Sequence, residues 1–427
     1  MNAIPDSGSV LFLVLIALAP LAPAGLALLN TGMGRSRSAA QALLGALCVA
    51  AVASIVYFAF GFSLEGYAGG PGYSIWAGPT SWDWIGSAGL FFRGVGWTGS
   101  PQSYAAAFQI VTVGLAAMIP WGSGADRWRL GSACATTVVL AGVIYPIFGH
   151  WVWGGGWLAQ LGTTYQLGLG FVDLGGAATI QAVGGLTALV VVWKLGARRG
   201  KFTRNGPPAA IPAHHIVYVL LGCLLALPGW MALNLLGTML FAGMSGASPV
   251  LTEVNTVLCA AAALLASLVV TRLRFGKPDA SLCANGWIAG LVTSSAVAGL
   301  VSPGAAVFVG AVAGGGLPLA IEFLELRCRI DDPTGGISVH GLAAVWGLLA
   351  VGFLSHGLSG QFVAQLVGVA TLLGLVLPAI WLLYSALDRA MPFRTHAEGE
   401  RVGMDLHELG SGAYPEFALH GDEFVPR

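Results

Sequence analysis

The sequence predicts an all-α integral membrane protein with eleven transmembrane helices, and three observations lead to that prediction. The chain of 427 residues is 56% hydrophobic and 9% charged, with a mean hydropathy of +0.78. A soluble domain of this length could not cover its surface with so few charges. Apolar runs of about 20 residues recur along the chain, each long enough to cross a bilayer. The third observation is the distribution of basic residues between these runs.

The apolar runs follow one another with short polar breaks between them. They cover about 10–32, 39–62, 104–122, 131–151, 176–195, 213–240, 251–271, 281–301, 304–325, 336–356 and 361–387. The first run has neither a basic segment before it nor a small-residue cleavage site after it, so we interpret it as a retained helix. The polar tail, 388–427, either docks on the cytoplasmic face or remains a frayed end.

The basic residues predict the orientation of these helices, because Lys and Arg concentrate in cytoplasmic loops. With the N-terminus outside, every one of the 19 Lys and Arg residues except Arg93 falls on an inside loop or on the tail. An odd number of helices then places the C-terminus inside. The formal net charge of zero gives no reason to expect a nucleic-acid partner, and the lipid bilayer is the expected surrounding.

A basic and proline-containing break at 196–212 divides the transmembrane domain, 1–387, into two halves. The first half, about 10–195, and the second, about 213–356, hold five helices each, and an extra helix at about 361–387 completes the domain. An odd number of helices in each half makes the second half insert upside down, as in inverted-repeat transporters. The longest outside segment, about 64–103, is rich in glycine and tryptophan and is expected to form a folded periplasmic cap.

One stretch in each half has the same spacing of polar residues. Asp173 precedes Gln181 by eight residues, and Asp332 precedes His340 by eight. A pair of glycines and an apolar helix follow each aspartate. Eight helical residues rise about 12 Å, nearly half of a hydrocarbon core of roughly 30 Å. Segments that enter from opposite sides therefore bring Gln181 and His340 together near the membrane midplane, where inverted repeats place substrate sites.

A series of motifs runs along essentially the whole chain. They are GLALL at 25–29, AFQ at 107–109, GHWVWGGG at 149–156, FVDLGG at 171–176, GW at 229–230 with Asn234, VNT at 254–256, DDP at 331–333, VHG at 339–341, GMD at 403–405 and GAY at 412–414. In this order they resemble the ammonium transporter family (Amt/Mep/Rh). The resemblance implies a homotrimer in the inner (plasma) membrane, with a pore in each protomer and no cofactor. Ammonium would enter an outer vestibule, pass an aromatic gate, lose its water and cross an apolar channel.

The resemblance also implies roles for single residues. Trp153 matches the vestibule tryptophan, whose ring face can hold a small cation, although a tryptophan at this depth can also be an interfacial anchor. Asp173 matches an aspartate that shapes the outer site, by architecture or by charge. His340 matches the second member of a pore-lining histidine pair, able to accept a hydrogen bond from ammonia or relay a proton. Phe108 and Trp230 belong to the motifs of the same pore.

Four pore positions depart from the family pattern. Gln181 stands where the first histidine of the pair is expected, and an amide cannot titrate near neutral pH. Thr112 and Leu233 stand where the family has two stacked phenylalanines, so the gate should be wider or differently plugged. Gly237 takes the place of a vestibule serine. Its missing hydroxyl predicts weaker binding of a cation at the mouth.

Three functions are compatible with these residues. The leading hypothesis is transport of ammonium or a related small amine. The second is a sensor that binds ammonium without conducting it and signals through the C-terminal region to a cytoplasmic regulatory or signalling partner, as the altered pore would allow. The third is a conduit for a larger or neutral solute. An enzyme is not expected, because the sequence has no nucleotide loop, no metal-spaced cluster and no arrangement of nucleophile and base.

Overall fold

The computed structural model describes residues 6–77, 80–203, 206–241, 248–355 and 359–414. Within these ranges, 11 helices are long and apolar enough to cross a membrane, which confirms the predicted fold class. They are α1 (Gly8–Met33), α2 (Ser36–Glu65), α3 (Pro101–Ser123), α4 (Leu130–Tyr165), α5 (Ala177–Leu195), α6 (Ile216–Phe241), α7 (Pro249–Phe275), α8 (Ala280–Val297), α9 (Pro303–Leu326), α10 (Gly336–Leu354) and α11 (Gln361–Ala390). Each apolar run of the sequence corresponds to one of them.

Two smaller elements lie at opposite ends of the helices. An antiparallel hairpin of β1 (Gly72–Ala77) and β2 (Thr80–Gly86) follows α2. A short helix, α12 (Ala397–Val402), follows α11. The hairpin packs on α4, where Trp151 Nε1 donates a hydrogen bond to the carbonyl of Trp84 at 2.8 Å, so this segment is a folded cap. We call the two ends of the helices the hairpin face and the tail face.

The helices α5 and α10 begin in the same way at opposite faces. Each follows a glycine in the left-handed region, Gly176 with φ of 85° or Gly335 with φ of 82°. The carboxylate of Asp173 accepts the backbone N–H of Thr179 at 2.8 Å, and that of Asp332 accepts the N–H groups of residues 337 and 338 at 2.9 and 3.0 Å. The first turns of both helices are π-helical, a distortion common at functional sites.

The two helices meet at a pair of glycines. A Cβ atom on Gly185 would lie only 2.4 Å from the backbone nitrogen of Gly341, so no side chain fits at this position. Small residues allow the backbones of membrane helices to approach this closely. The approach brings the first turns of α5 and α10, which start at opposite faces, into the same layer of the protein.

Acidic side chains tie the C-terminal tail to the tail face. The carboxylate of Asp405 accepts the backbone N–H groups of Ala40 and Gln41 at 3.1 and 2.8 Å, and that of Glu408 accepts the N–H of Leu130 at 2.9 Å. Ala40 and Gln41 lie in the first turn of the α-helical part of α2, which begins at Ala39, and Leu130 is the first residue of α4; carboxylates are favoured at such positions. The alternative of a frayed tail is therefore wrong as far as Tyr414. The rest of the predicted tail, 415–427, lies outside the described residues.

A buried ion pair joins the loop between the two halves of the chain to the segment before α10. The guanidinium of Arg198 donates to both carboxylate oxygens of Asp331 at 2.9 Å, and Arg127 lies 4.0 Å away. Burial alone would raise the pKa of Asp331, but the two guanidinium groups lower it well below its ordinary value. Asp331 is therefore ionised throughout the physiological range and holds the two loops together.

Candidate functional site

An amide and an imidazole meet between α5 and α10. Nδ1 of His340 lies 2.6 Å from Oε1 of Gln181, and both side chains are buried. Because an amide oxygen can only accept, Nδ1 carries the proton, and in the neutral ring Nε2 keeps a lone pair. The amide nitrogen of Gln181 has no hydrogen-bond partner among the described residues. The structure thus brings these two predicted residues together. His340 offers an acceptor at Nε2, and Gln181 offers an unpaired donor at its amide nitrogen.

This pair is chemically complementary to ammonia. Ammonia carries one lone pair, which can accept from the amide of Gln181, and N–H groups, which can donate to Nε2 of His340. An unpaired buried donor costs about 1–3 kcal/mol, so a polar guest that satisfies it is favoured. Trp230 flanks the pair, with its ring centroid 6.5 Å from that of His340 and its Nε1 donating to Ser295 Oγ at 3.1 Å.

Three aromatic rings form a cluster toward the hairpin face. Trp153 is fixed by a hydrogen bond from its Nε1 to the carbonyl oxygen of Asp173 at 2.6 Å. Phe241 stacks on the indole, with centroids 4.7 Å apart and planes within 9°. Phe108 packs edge-on against both rings, at 5.8 and 5.7 Å. The sequence pattern did not mark Phe241 as a site residue, because an aromatic residue at the end of a membrane helix is typical of an interfacial anchor.

A chain of polar side chains begins beside this aromatic cluster. Glu65, at the end of α2, accepts the hydroxyl of Tyr57 at 2.7 Å and the side-chain amide of Gln109. The oxygen of that amide accepts from the hydroxyl of Tyr145 at 2.5 Å and from that of Thr112 at 2.9 Å. Among the described residues, no basic side chain pairs with Glu65. Neutral donors hold the carboxyl group, and a charge on it would have no cationic partner among these residues.

A small cavity of about 50 Å³ lies between the aromatic cluster and this carboxylate. Its lining includes Glu65, Gln109, Trp153 and Phe241. A cavity of this size is large enough to hold a molecule the size of water or ammonium. A carboxylate and aromatic rings both attract small cations. Glu65 was not among the predicted site residues, although it is the single acid in the α2 sequence and such acids mark functional sites in membrane helices.

Three predicted site residues have clear structural reasons for their identity. The hydroxyl of Thr112 lies 2.8 Å from that of Tyr145, so it belongs to the polar chain that leads to Glu65. A Cβ atom on Gly237 would lie 1.9 Å from the carbonyl oxygen of Leu174, so α6 approaches this segment too closely for a serine. Leu233, one helical turn before Gly237, is buried as an ordinary core residue.

Asp173 has a structural position in the site. One carboxylate oxygen caps α5, and the backbone carbonyl holds Trp153. Burial raises the pKa of the side chain to about 6, although the N–H groups of Thr179 and Ala178 act in the opposite direction. Its contacts connect the start of α5 to the aromatic cluster and favour the architectural alternative.

Comparison with known proteins identifies relatives over nearly the whole chain. The model of the Ammonium Transporter Family matches residues 10–414. The chain is 33% identical over 420 residues to the ammonium transporter Amt2 of Archaeoglobus fulgidus, covering 92% of this chain and 85% of the relative. It is 29% identical over 406 residues to the ammonium transporter of Bacillus subtilis, covering 92% and 94%.

Solved structures share the fold. A protein described as a sensor Amt protein superimposes with a TM-score of 0.83 and 26% identity, covering 94% of this chain and 97% of that one. Mep2 of Saccharomyces cerevisiae superimposes with a TM-score of 0.77 and 25% identity, covering 91% and 89%.

Proposed function

This chain belongs to the ammonium transporter family, and from that premise we propose that it carries ammonium or a related small amine across the membrane through a pore in each protomer. The observation that carries the proposal is the contact of 2.6 Å between Gln181 and His340, delivered by helices that start at opposite faces. The hairpin face is the outside and the tail face the cytoplasmic side, since all basic residues except Arg93 then lie on cytoplasmic segments. Assembly as a homotrimer in the inner membrane follows from the family resemblance.

Recruitment takes place in the cavity beside the aromatic cluster. Glu65 has no basic partner among the described residues, and a buried carboxylate without one favours a small cation or a proton. The ring of Trp153 supplies a second attraction for the same cation, worth about 0.5–2 kcal/mol depending on how far water is excluded. The small size of the cavity favours ammonium and methylammonium over bulky amines.

Deeper in the membrane, the amide and imidazole pair receives the substrate. With one imidazole instead of two, no proton can pass from ring to ring at this point, because the amide of Gln181 does not titrate. The pair accommodates neutral ammonia through one donor and one acceptor. Movement of charge through this protein therefore needs a route other than a histidine pair.

Electrical recording on solid-supported membranes tests the proposal. Proteoliposomes with wild-type protein should show a current or flux of ammonium above empty liposomes, and His340→Ala should abolish or strongly reduce it. Gln181→His should increase the transported charge, because it supplies a second titratable ring. The proposal fails if neither ammonium nor methylammonium moves faster than in empty liposomes.

A sensor is the second candidate, supported by the structural similarity to the sensor Amt protein and by the docked tail. In this case ammonium would bind without turnover, and occupancy would reach the cytoplasmic side through the tail and a signalling partner. Saturable binding of methylammonium, together with an absence of flux in the same preparation, would favour the sensor over the transporter.

A further inference from the structure

We propose that Phe241 is the gate of this pore, in place of the two phenylalanines that the family has at the positions of Thr112 and Leu233. This inference rests on the proposed function, because a gate presupposes a substrate that enters at the hairpin face. Leu233 lies eight residues before Phe241 in α6, a distance of about 12 Å along the helix. The point of closure is therefore displaced toward the hairpin face.

The stacking of Phe241 on Trp153 closes the site. At 4.7 Å and 9°, the phenyl ring covers the face of the indole that a cation would otherwise use. The indole cannot turn away without losing the hydrogen bond from its Nε1 to Asp173, and Phe108 blocks its edge. A substrate can reach this face of Trp153 only if Phe241 moves.

Phe241 is the member of the cluster that has room to move. Phe108 is fully buried and Trp153 is 6% exposed, whereas Phe241 is only partly buried. Rotation of its ring would open the indole face toward the cavity that contains the carboxylate of Glu65.

The same ring also limits the size of the substrate. In the closed position, it forms part of the wall of a cavity of about 50 Å³. An added methylene in such a pocket is discriminated by about tenfold or more. Replacement of the phenyl ring by a methyl group should remove this discrimination, while the attraction between the cation and Glu65 remains.

The test compares Phe241→Ala with Phe308→Ala in full-length protein. Phe308 lies in the hairpin-face half of α9 and is 55% exposed, so its variant makes the same chemical change outside the cluster. In proteoliposomes, Phe241→Ala should raise the ratio of ethylammonium flux to ammonium flux by about tenfold. Phe308→Ala should keep the wild-type ratio. An unchanged ratio in a folded and conducting Phe241→Ala protein would overturn the gate.

A second measurement separates failure of the gate from failure of the transport function. Stopped-flow fluorescence, corrected by subtracting the signal of a Trp153→Phe protein, follows the association of methylammonium without requiring flux. Phe241→Ala should accelerate association relative to wild type and Phe308→Ala, even if no protein conducts. Equal association rates in the three proteins would refute the gate, whereas faster association without flux would retain it and refute transport.

Discussion

Gly237→Ser is a sharp test, because the sequence and the structure predict opposite results. By family resemblance, serine at this position should restore a hydroxyl in the vestibule and strengthen cation binding. In the structure, a Cβ atom would lie 1.9 Å from the carbonyl oxygen of Leu174, whereas ordinary contacts begin near 3.4 Å. The backbone must therefore yield by roughly 1.5 Å, and overpacking of this kind costs about 1–3 kcal/mol or more.

The displacement would also reach the proposed binding site. Leu174 directly follows Asp173, whose carbonyl oxygen holds the indole of Trp153. A shift of this segment should therefore weaken methylammonium binding as well as lower the melting temperature. Gly316→Ser is the matched control, because no atom lies within 4 Å of a Cβ at that position. Thermal unfolding in detergent and a binding isotherm are the measurements. A Gly237→Ser protein with wild-type melting temperature and tighter binding would refute the reasoning.

Two further predictions concern buried carboxylates on opposite faces. Glu65→Gln keeps the shape of the side chain but removes its charge, so the affinity for methylammonium should fall by about tenfold or more. Calorimetry measures this affinity. An unchanged affinity would mean that the cation does not interact with this carboxylate. Asp331→Asn removes the nearer of the two carboxylates that pair with the buried Arg198 and leaves Asp126, at 3.4 Å, so it should destabilise the protein by up to about 3–5 kcal/mol at neutral pH. The folded pKa of Asp331 lies below its ordinary value of 3.8, so its contribution is complete above that value and is lost as the pH falls through the folded pKa. The difference in melting temperature between wild type and Asp331→Asn should therefore stay constant from pH 7 to about pH 4 and shrink below about pH 4. A difference that already shrinks between pH 7 and 5 would contradict the lowered pKa of Asp331.

Much of the architecture could be predicted from the sequence because it depends on properties local to the chain. The length of each apolar run fixes the number of helices that can span a bilayer. The rise of an α-helix and the matching spacing after Asp173 and Asp332 were enough to bring Gln181 and His340 together. Both arguments use distances along one segment, and neither requires knowledge of how neighbouring helices pack.

The tertiary structure alone decided which side chains surround the proposed substrate path. Phe241 reaches Trp153 across 88 positions of sequence, and Glu65 reaches Gln109 across 44. Such contacts depend on the rotation of each helix about its axis. In a soluble protein the apolar stripe reveals that rotation, but in a bilayer the lipid-facing side is as apolar as the core. Gly237 could not be explained from the sequence for the same reason, because only the position of the Leu174 carbonyl shows why this residue has no side chain.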